Sequence, residues 1–133
     1  MALNPKTAVA SRNLALDAAF DVLNSGSLRI YDSTQPTDAD TALGAQVLLA
    51  NLALGATAFA AAGSGSKAAN AISNDTSADA TGTAAWGSLL TSGAVRKLDY
   101  SVGTSGANLN LNSVAISSGA TVSVTAFTIT QAA

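Results

Sequence analysis

The sequence predicts a mainly β fold: a jelly-roll-like antiparallel β-sandwich of about eight short strands with one N-terminal α-helix. Three observations carry this expectation. Apolar residues follow a helical period only near the start of the chain. Alternation with period two takes over after Gly26. Clusters of Gly, Ser, Thr, Asn and Asp then recur at intervals of about eight to twelve residues. A chain of 133 residues suits one core, so residues 1–10 are read as an arm and 11–133 as a single domain that includes the helix near 9–24.

The helix rests on Val9, Leu16, Phe20 and Leu23, with Asn13 on the same line. Spacings of three and four put these residues on one face, and Asn24, Ser25 and Gly26 supply the stop. That face is expected to pack within the chain, or as second choice to form a seam between copies. Residues 28–31 then form a short strand, followed by a polar loop over 32–41 that contains Pro36. Residues 47–54 form a second strand, apolar on both faces. Weaker strands are expected at 57–61 and 67–72 around a GSGS turn. Residues 81–90 and 95–102 flank Thr91, Ser92 and Gly93 as a hairpin, with Leu98, Tyr100 and Val102 sharing a face. A second hairpin pairs 113–116 with 121–130. In that last strand alternation fails between Val124 and Phe127, so either a bulge lies near Thr125 or Ala126 or the strand is buried on both sides.

Composition narrows the chemistry. There is no Cys, no His and no Glu; all eight acids are Asp, against six Lys or Arg. Thiol mechanisms, the usual proton shuttle and most metal ligands are therefore absent. A net charge of −2 lacks the basic excess that phosphate neutralisation requires, so no nucleic-acid partner is expected. Ala supplies 30 residues, and Ser with Thr another 30. That composition leaves a bland surface with little charge to desolvate, which fits a protein working in an assembly. The uncharged window 42–62 contains Gln46, Asn51, Gly44 and Gly55 and has no flanking base, so no membrane span is expected. The segment MALNPKTAVASRN shows no apolar stretch behind a positive start, so synthesis in the cytoplasm without secretion is expected, and the sequon at Asn74 is given no role.

No residue set reads as catalytic, cofactor-binding or metal-binding. Asp75, Ser77 and Asp79 resemble the start of a calcium loop, but Ala80 and Trp86 stand where that loop needs Gly and Glu. Asp38 and Asp40 read as turn formers in the same way. Ser and Thr hydroxyls have no His to activate them. Gly103–Thr104–Ser105–Gly106 leads into Leu109 and Leu111, not into the Lys and helix of a phosphate loop. The aromatic rings are placed in the core, with Trp86 the one whose exposure is worth testing.

Read together, RNLALDAAFDVLNSG, LRIYDSTQP, LLANLAL, SADATGTAAW and SVGTSGANLNLNSVAISSGATVSVTAFTIT resemble a family of small proteins from the structural gene clusters of tailed bacteriophages. Within it the resemblance is greatest to capsid decoration, or cement, proteins. It spans about Arg12 to Thr130 and departs from the family pattern at Ser33, where Gly is common, and in the polar run 63–67. The resemblance implies a jelly roll on the virion capsid surface that staples neighbouring capsomers. Major capsid protein is then the partner and the chain a dimer or trimer, with no cofactor and no enzymatic activity. The expected contacts are Leu3, Asn4, Pro5, Lys6 and Thr7 of the arm, and Asp32, Thr34, Gln35, Pro36 and Asp38 of the loop. Both segments are long and poor in bulky apolar residues. The alternatives are a tail, baseplate, receptor-binding or carbohydrate-binding module, and, behind those, a hydrolase using paired carboxylates.

Overall fold

The computed structural model describes residues 6–130. One helix, α1 (Val9–Asp21), precedes nine strands: β1 (Ser27–Tyr31), β2 (Leu48–Ala53), β3 (Ser66–Ala68), β4 (Gly82–Thr83), β5 (Trp86–Leu90), β6 (Arg96–Gly103), β7 (Leu109–Leu111), β8 (Ala115–Ile116) and β9 (Val124–Thr130). Seven strands make one curled sheet in the order β2-β1-β5-β6-β7-β9-β3, and β4 pairs with β8 in a small second sheet. The fold is mainly β and consistent with the sandwich or jelly-roll architecture expected. All pairs are antiparallel except β6 with β7.

The curl makes an inner and an outer face. Leu28, Ile30, Ala50, Leu52, Leu89, Leu109, Phe127 and Ile129 point inward, where Leu16, Phe20 and Leu23 close the core. Phe20, Phe59, Phe127 and Tyr100 form a closed cycle of ring contacts, with centroids 4.8, 5.6, 5.5 and 6.4 Å apart in turn. The segment after β3 leaves β9 and runs beside β2. Ser73 N–H donates to the Ala53 carbonyl, Asp79 N–H to the Leu49 carbonyl and Asn51 N–H to Asp75 Oδ2. The free edge of β2 is thereby covered, which removes a template for unwanted strand pairing.

Several expectations change against this topology. The helix stops at Asp21, and Leu23 is buried in the turn that follows. Val9 is 45% exposed, so the buried stripe is Leu16, Phe20 and Leu23, which pack within the chain. Ser25, at φ 59, takes the left-handed position just before Gly26.

The strand at 47–54 has one buried face, since Asn51 and Ala53 are exposed while Ala50, Leu52 and Leu54 are buried. Leu49 joins them because it is the extra residue where Ile30 pairs Ala50 and Tyr31 pairs Leu48. Residues 57–61 form only a bridge, Phe59 to Ala69. The strand expected at 67–72 is confined to Ser66–Ala68, because the chain then departs toward β2. The GSGS turn is a two-residue hairpin with Ser64 and Gly65 both at positive φ and Gly63 and Ser66 exchanging backbone hydrogen bonds.

Residues 81–90 divide at Ala84 and Ala85, whose N–H groups donate to Val114 and Tyr31 carbonyls and carry the chain from the small sheet to the large one. The hairpin of β5 and β6 forms, with Leu98, Tyr100 and Val102 on the core side. The second hairpin does not: β8 pairs β4, and β9 pairs β7 and β3. The turn at 117–120 is drawn instead to Ala78, which donates to the Ala120 carbonyl and accepts from Gly119 N–H. Two long-range partners thus displace the local one. Strand β7 was not expected as a strand at all. The bulge is present: Asn110 pairs Ala126 and Leu111 pairs Val124, leaving Thr125 as the extra residue.

Candidate functional site

The most distinctive surface feature is the connection between β1 and β2, residues 32–47. It is tied at its base, since Asp32 N–H donates to the Val47 carbonyl (3.2 Å) and Val47 N–H donates back to Asp32 Oδ1 (2.7 Å). A loop with joined ends and its own internal bonds is an Ω-loop. Gln46 braces the middle, donating from Nε2 to the Thr34 carbonyl and accepting Gly44 N–H, both at 2.7 Å. At the tip Asp38 Oδ1 accepts from Asp40 N–H, Thr41 N–H and the Thr41 hydroxyl. The Thr41 hydroxyl, followed by its N–H, holds the Asp38 carboxyl below its ordinary value.

The loop lies over the outer face of the large sheet. On that face Tyr31 stacks on Trp86 with ring centroids 4.6 Å apart. Trp86 Nε1 donates to the Asp32 carbonyl (3.1 Å), and the Arg96 guanidinium lies 5.6 Å from the Trp86 ring centroid. Arg96 also donates to the Thr41 carbonyl (2.5 Å), the Asp38 carbonyl (3.4 Å) and Asp99 Oδ2 (2.5 Å). Strand register sets Arg29, Ser88 and Asp99 side by side on the same outer face.

Of the residues singled out in the sequence, Leu3, Asn4 and Pro5 lie outside the described residues. Lys6 and Thr7 are exposed just before α1. Thr34, Gln35 and Asp38 are exposed on the loop and Pro36 is half-buried. Asp32 is half-buried, with its carboxylate and both backbone polar groups engaged in holding the loop. The structure therefore gathers Asp32, Thr34, Gln35, Pro36 and Asp38 on one braced element. Gln46, Arg96 and Asp99, which help do the bracing, were not singled out; Trp86 was, only as a ring whose exposure was worth testing, and it is buried. Arg96 sits 55 residues from Thr41 in sequence, and no local pattern announces such a contact.

Several other polar residues have structural roles. Asp17 accepts from Lys67 and from Ala62 N–H, Asn13 from Gly65 N–H and Asn24 from Ala58 N–H, so the polar side of the helix and the turn after it clasp the 58–67 hairpin. Asp75 accepts from Asn51 N–H and Ser77 N–H as a turn former. Among the described residues no three acids gather as metal ligands would, and no helix is long and apolar enough to cross a membrane. A slot of about 220 Å³ opens beside the Thr125 bulge, lined by residues 69–72 and 124–127 without a charged side chain. Phe20, Tyr31, Phe59, Trp86 and Phe127 are buried and Tyr100 half-buried. No family model matches the chain, and neither a curated protein nor a solved structure matches it.

Proposed function

We propose that this chain is a non-enzymatic structural protein of a tailed-phage virion, one that decorates the capsid and cements it by binding major capsid protein, itself as a dimer or trimer. The observation that carries the reading is the braced loop 32–47. A surface element fixed before binding loses little conformational entropy on docking, which is what a protein acting by shape needs. The order of sequence motifs supports the same reading. Ser33 adds to it, because φ 63 is a backbone conformation glycine prefers, at the position where the resembling family commonly has Gly. The acids favour a structural role, since Asp17, Asp32, Asp38, Asp75 and Asp99 each hold a backbone or a base.

Cementing follows from linkage. A protein that binds the assembled shell and not its free subunits stabilises the shell by about 2.7 kcal/mol per site at a hundredfold excess over Kd. Repeated over many sites, modest affinity yields a robust particle. A carbohydrate-binding module would present exposed rings, and the burial of Trp86 and its fellow rings weighs against that alternative.

The test is copy number and position in purified particles. Hundreds of copies on the head support the reading; a handful at the tail would transfer the chain to the tail or baseplate class. Particles lacking the protein should release DNA at a lower temperature, or on transfer to low salt that intact particles withstand. Unchanged release would mean that it adorns the shell without reinforcing it.

A further inference from the structure

We propose that Arg96 is the positioning residue that holds loop 32–47 in its docking shape, an inference that rests on the loop being the shell-binding surface. One side chain joins three elements here: β6, the loop and β5. From the start of β6 it reaches the carbonyls of Asp38 and Thr41 at the far turn of the loop, and Asp99 on its own strand fixes the guanidinium. Its planar group also lies against Trp86, whose indole N–H holds the loop base. A forked donor can satisfy two carbonyls and a carboxylate at once; a Lys ammonium is a point charge without that fixed geometry.

The closed loop is poised and not over-determined. Arg29 Nε, Ser88 Oγ, Arg96 Nε and Asp99 Oδ1 are buried with no hydrogen-bond partner. All four belong to the outer face of the sheet, with Arg29, Ser88 and Asp99 in one cross-strand row and Arg96 bonded to the loop itself. Lifting the loop would free Arg96, and with it Asp99, to be hydrated, so closure works against the hydration of these two groups. The Arg96 bonds and the cover over Tyr31 and Trp86 offset this. Loss of the Arg96 fork therefore shifts the loop toward open forms, and apparent affinity falls in proportion to the docking-competent fraction.

Trp86 is the only tryptophan, so its fluorescence reports on the loop directly. In the full chain, R96Q should raise acrylamide quenching of Trp86 and speed amide exchange across residues 34–46 at least tenfold. The melting transition should remain single and cooperative. Affinity for phage particles lacking this protein should drop about tenfold or more, and R96K should recover part of the affinity and part of the protection. Unchanged quenching and exchange in R96Q would overturn the inference. So would a loosened loop with undiminished particle affinity, which would leave the decoration reading intact. Should R96Q fail to fold, R96K alone decides: wild-type exchange and affinity would refute the role of the fork. Failure of the wild-type chain to bind such particles would instead sink the decoration reading itself.

Discussion

Lys67 Nζ lies 2.5 Å from Asp17 Oδ1, joining a sheet strand that faces the core to the polar side of the helix. The two partners are unequally buried: the Lys67 side chain is 1% exposed and that of Asp17 36%. Asp21 adds a second, longer contact at 3.5 Å. Removing the ammonium leaves a carboxylate that water can reach, whereas removing the carboxylate leaves a buried cation. K67M should therefore stay within about 1 kcal/mol of wild type, and D17N should lose clearly more. Urea unfolding of both variants checks this; equal losses would show that Asp17 does not balance the buried charge.

The same pair gives the fold an acid limit. The Lys67 hydrogen bond, followed by that of Ala62 N–H, holds the Asp17 carboxyl below its ordinary value of 3.8, and Asp38 is lowered chiefly by the Thr41 hydroxyl. A carboxyl depressed in the folded state adds stability above its unfolded value that is lost as pH falls through the folded one. Melting temperature should be flat near neutrality and decline as pH drops below about 4. The double variant D17N/D38N should start lower and show a shallower acid decline, measured by thermal scans at successive pH values.

The ring cycle of Phe20, Phe59, Phe127 and Tyr100 concentrates packing where helix and sheet meet. F127A should cost about 3–5 kcal/mol, because a large ring leaves a cavity its neighbours cannot fill. Burial pushes the Tyr100 phenol up to about 12. Stability from its neutral form is present below the ordinary value of 10.0 and lost as pH rises toward 12. Y100F should lack this component of the alkaline decline, which absorbance-monitored unfolding at high pH would reveal.

Ser88 is fully buried on β5, and its hydroxyl has no hydrogen-bond partner. S88A should be neutral or stabilising by up to about 1 kcal/mol, since it removes a desolvated polar group at little loss of packing. A loss above about 1 kcal/mol in denaturant would mean that the hydroxyl makes a favourable interaction in solution.

Gly26 passes directly against the Leu90 carbonyl, and a Cβ there would also come within 2.8 Å of the Leu23 carbonyl. Both obstacles are backbone, so neither can swing aside. G26A should lose more than about 2 kcal/mol. G63A, with nothing within 4 Å of its added Cβ, should fold nearly as wild type; similar melting temperatures for the two variants would contradict the steric argument.

Local chemistry made much of this legible. The break in alternation between Val124 and Phe127 left either a bulge near Thr125 or Ala126 or a strand buried on both faces, and the sheet takes the bulge, with Thr125 as the extra residue. Helical spacing identified Leu16, Phe20 and Leu23, and turn residues located the β5–β6 hairpin. Loop 32–41 stood out because its residues suited neither strand nor core. Strand β7 did not stand out: Leu109 and Leu111 are a three-residue segment whose partners are β6 in parallel and β9. Nor did the extension of the loop to Val47, which depends on a bond back to Asp32.

Periodicity, turn chemistry and the lack of Cys, His and Glu are properties of neighbouring residues and of composition, so the amino-acid order alone determined the β-rich class, the helix and the poverty of reactive groups. Which strands meet is a different kind of question. It is settled by whole faces seeking burial and by backbone groups seeking partners, and those searches run across the full length of the chain. Only the folded sheet moved β8 away from β9, covered the edge of β2 and brought Arg96 beneath Asp38 and Thr41.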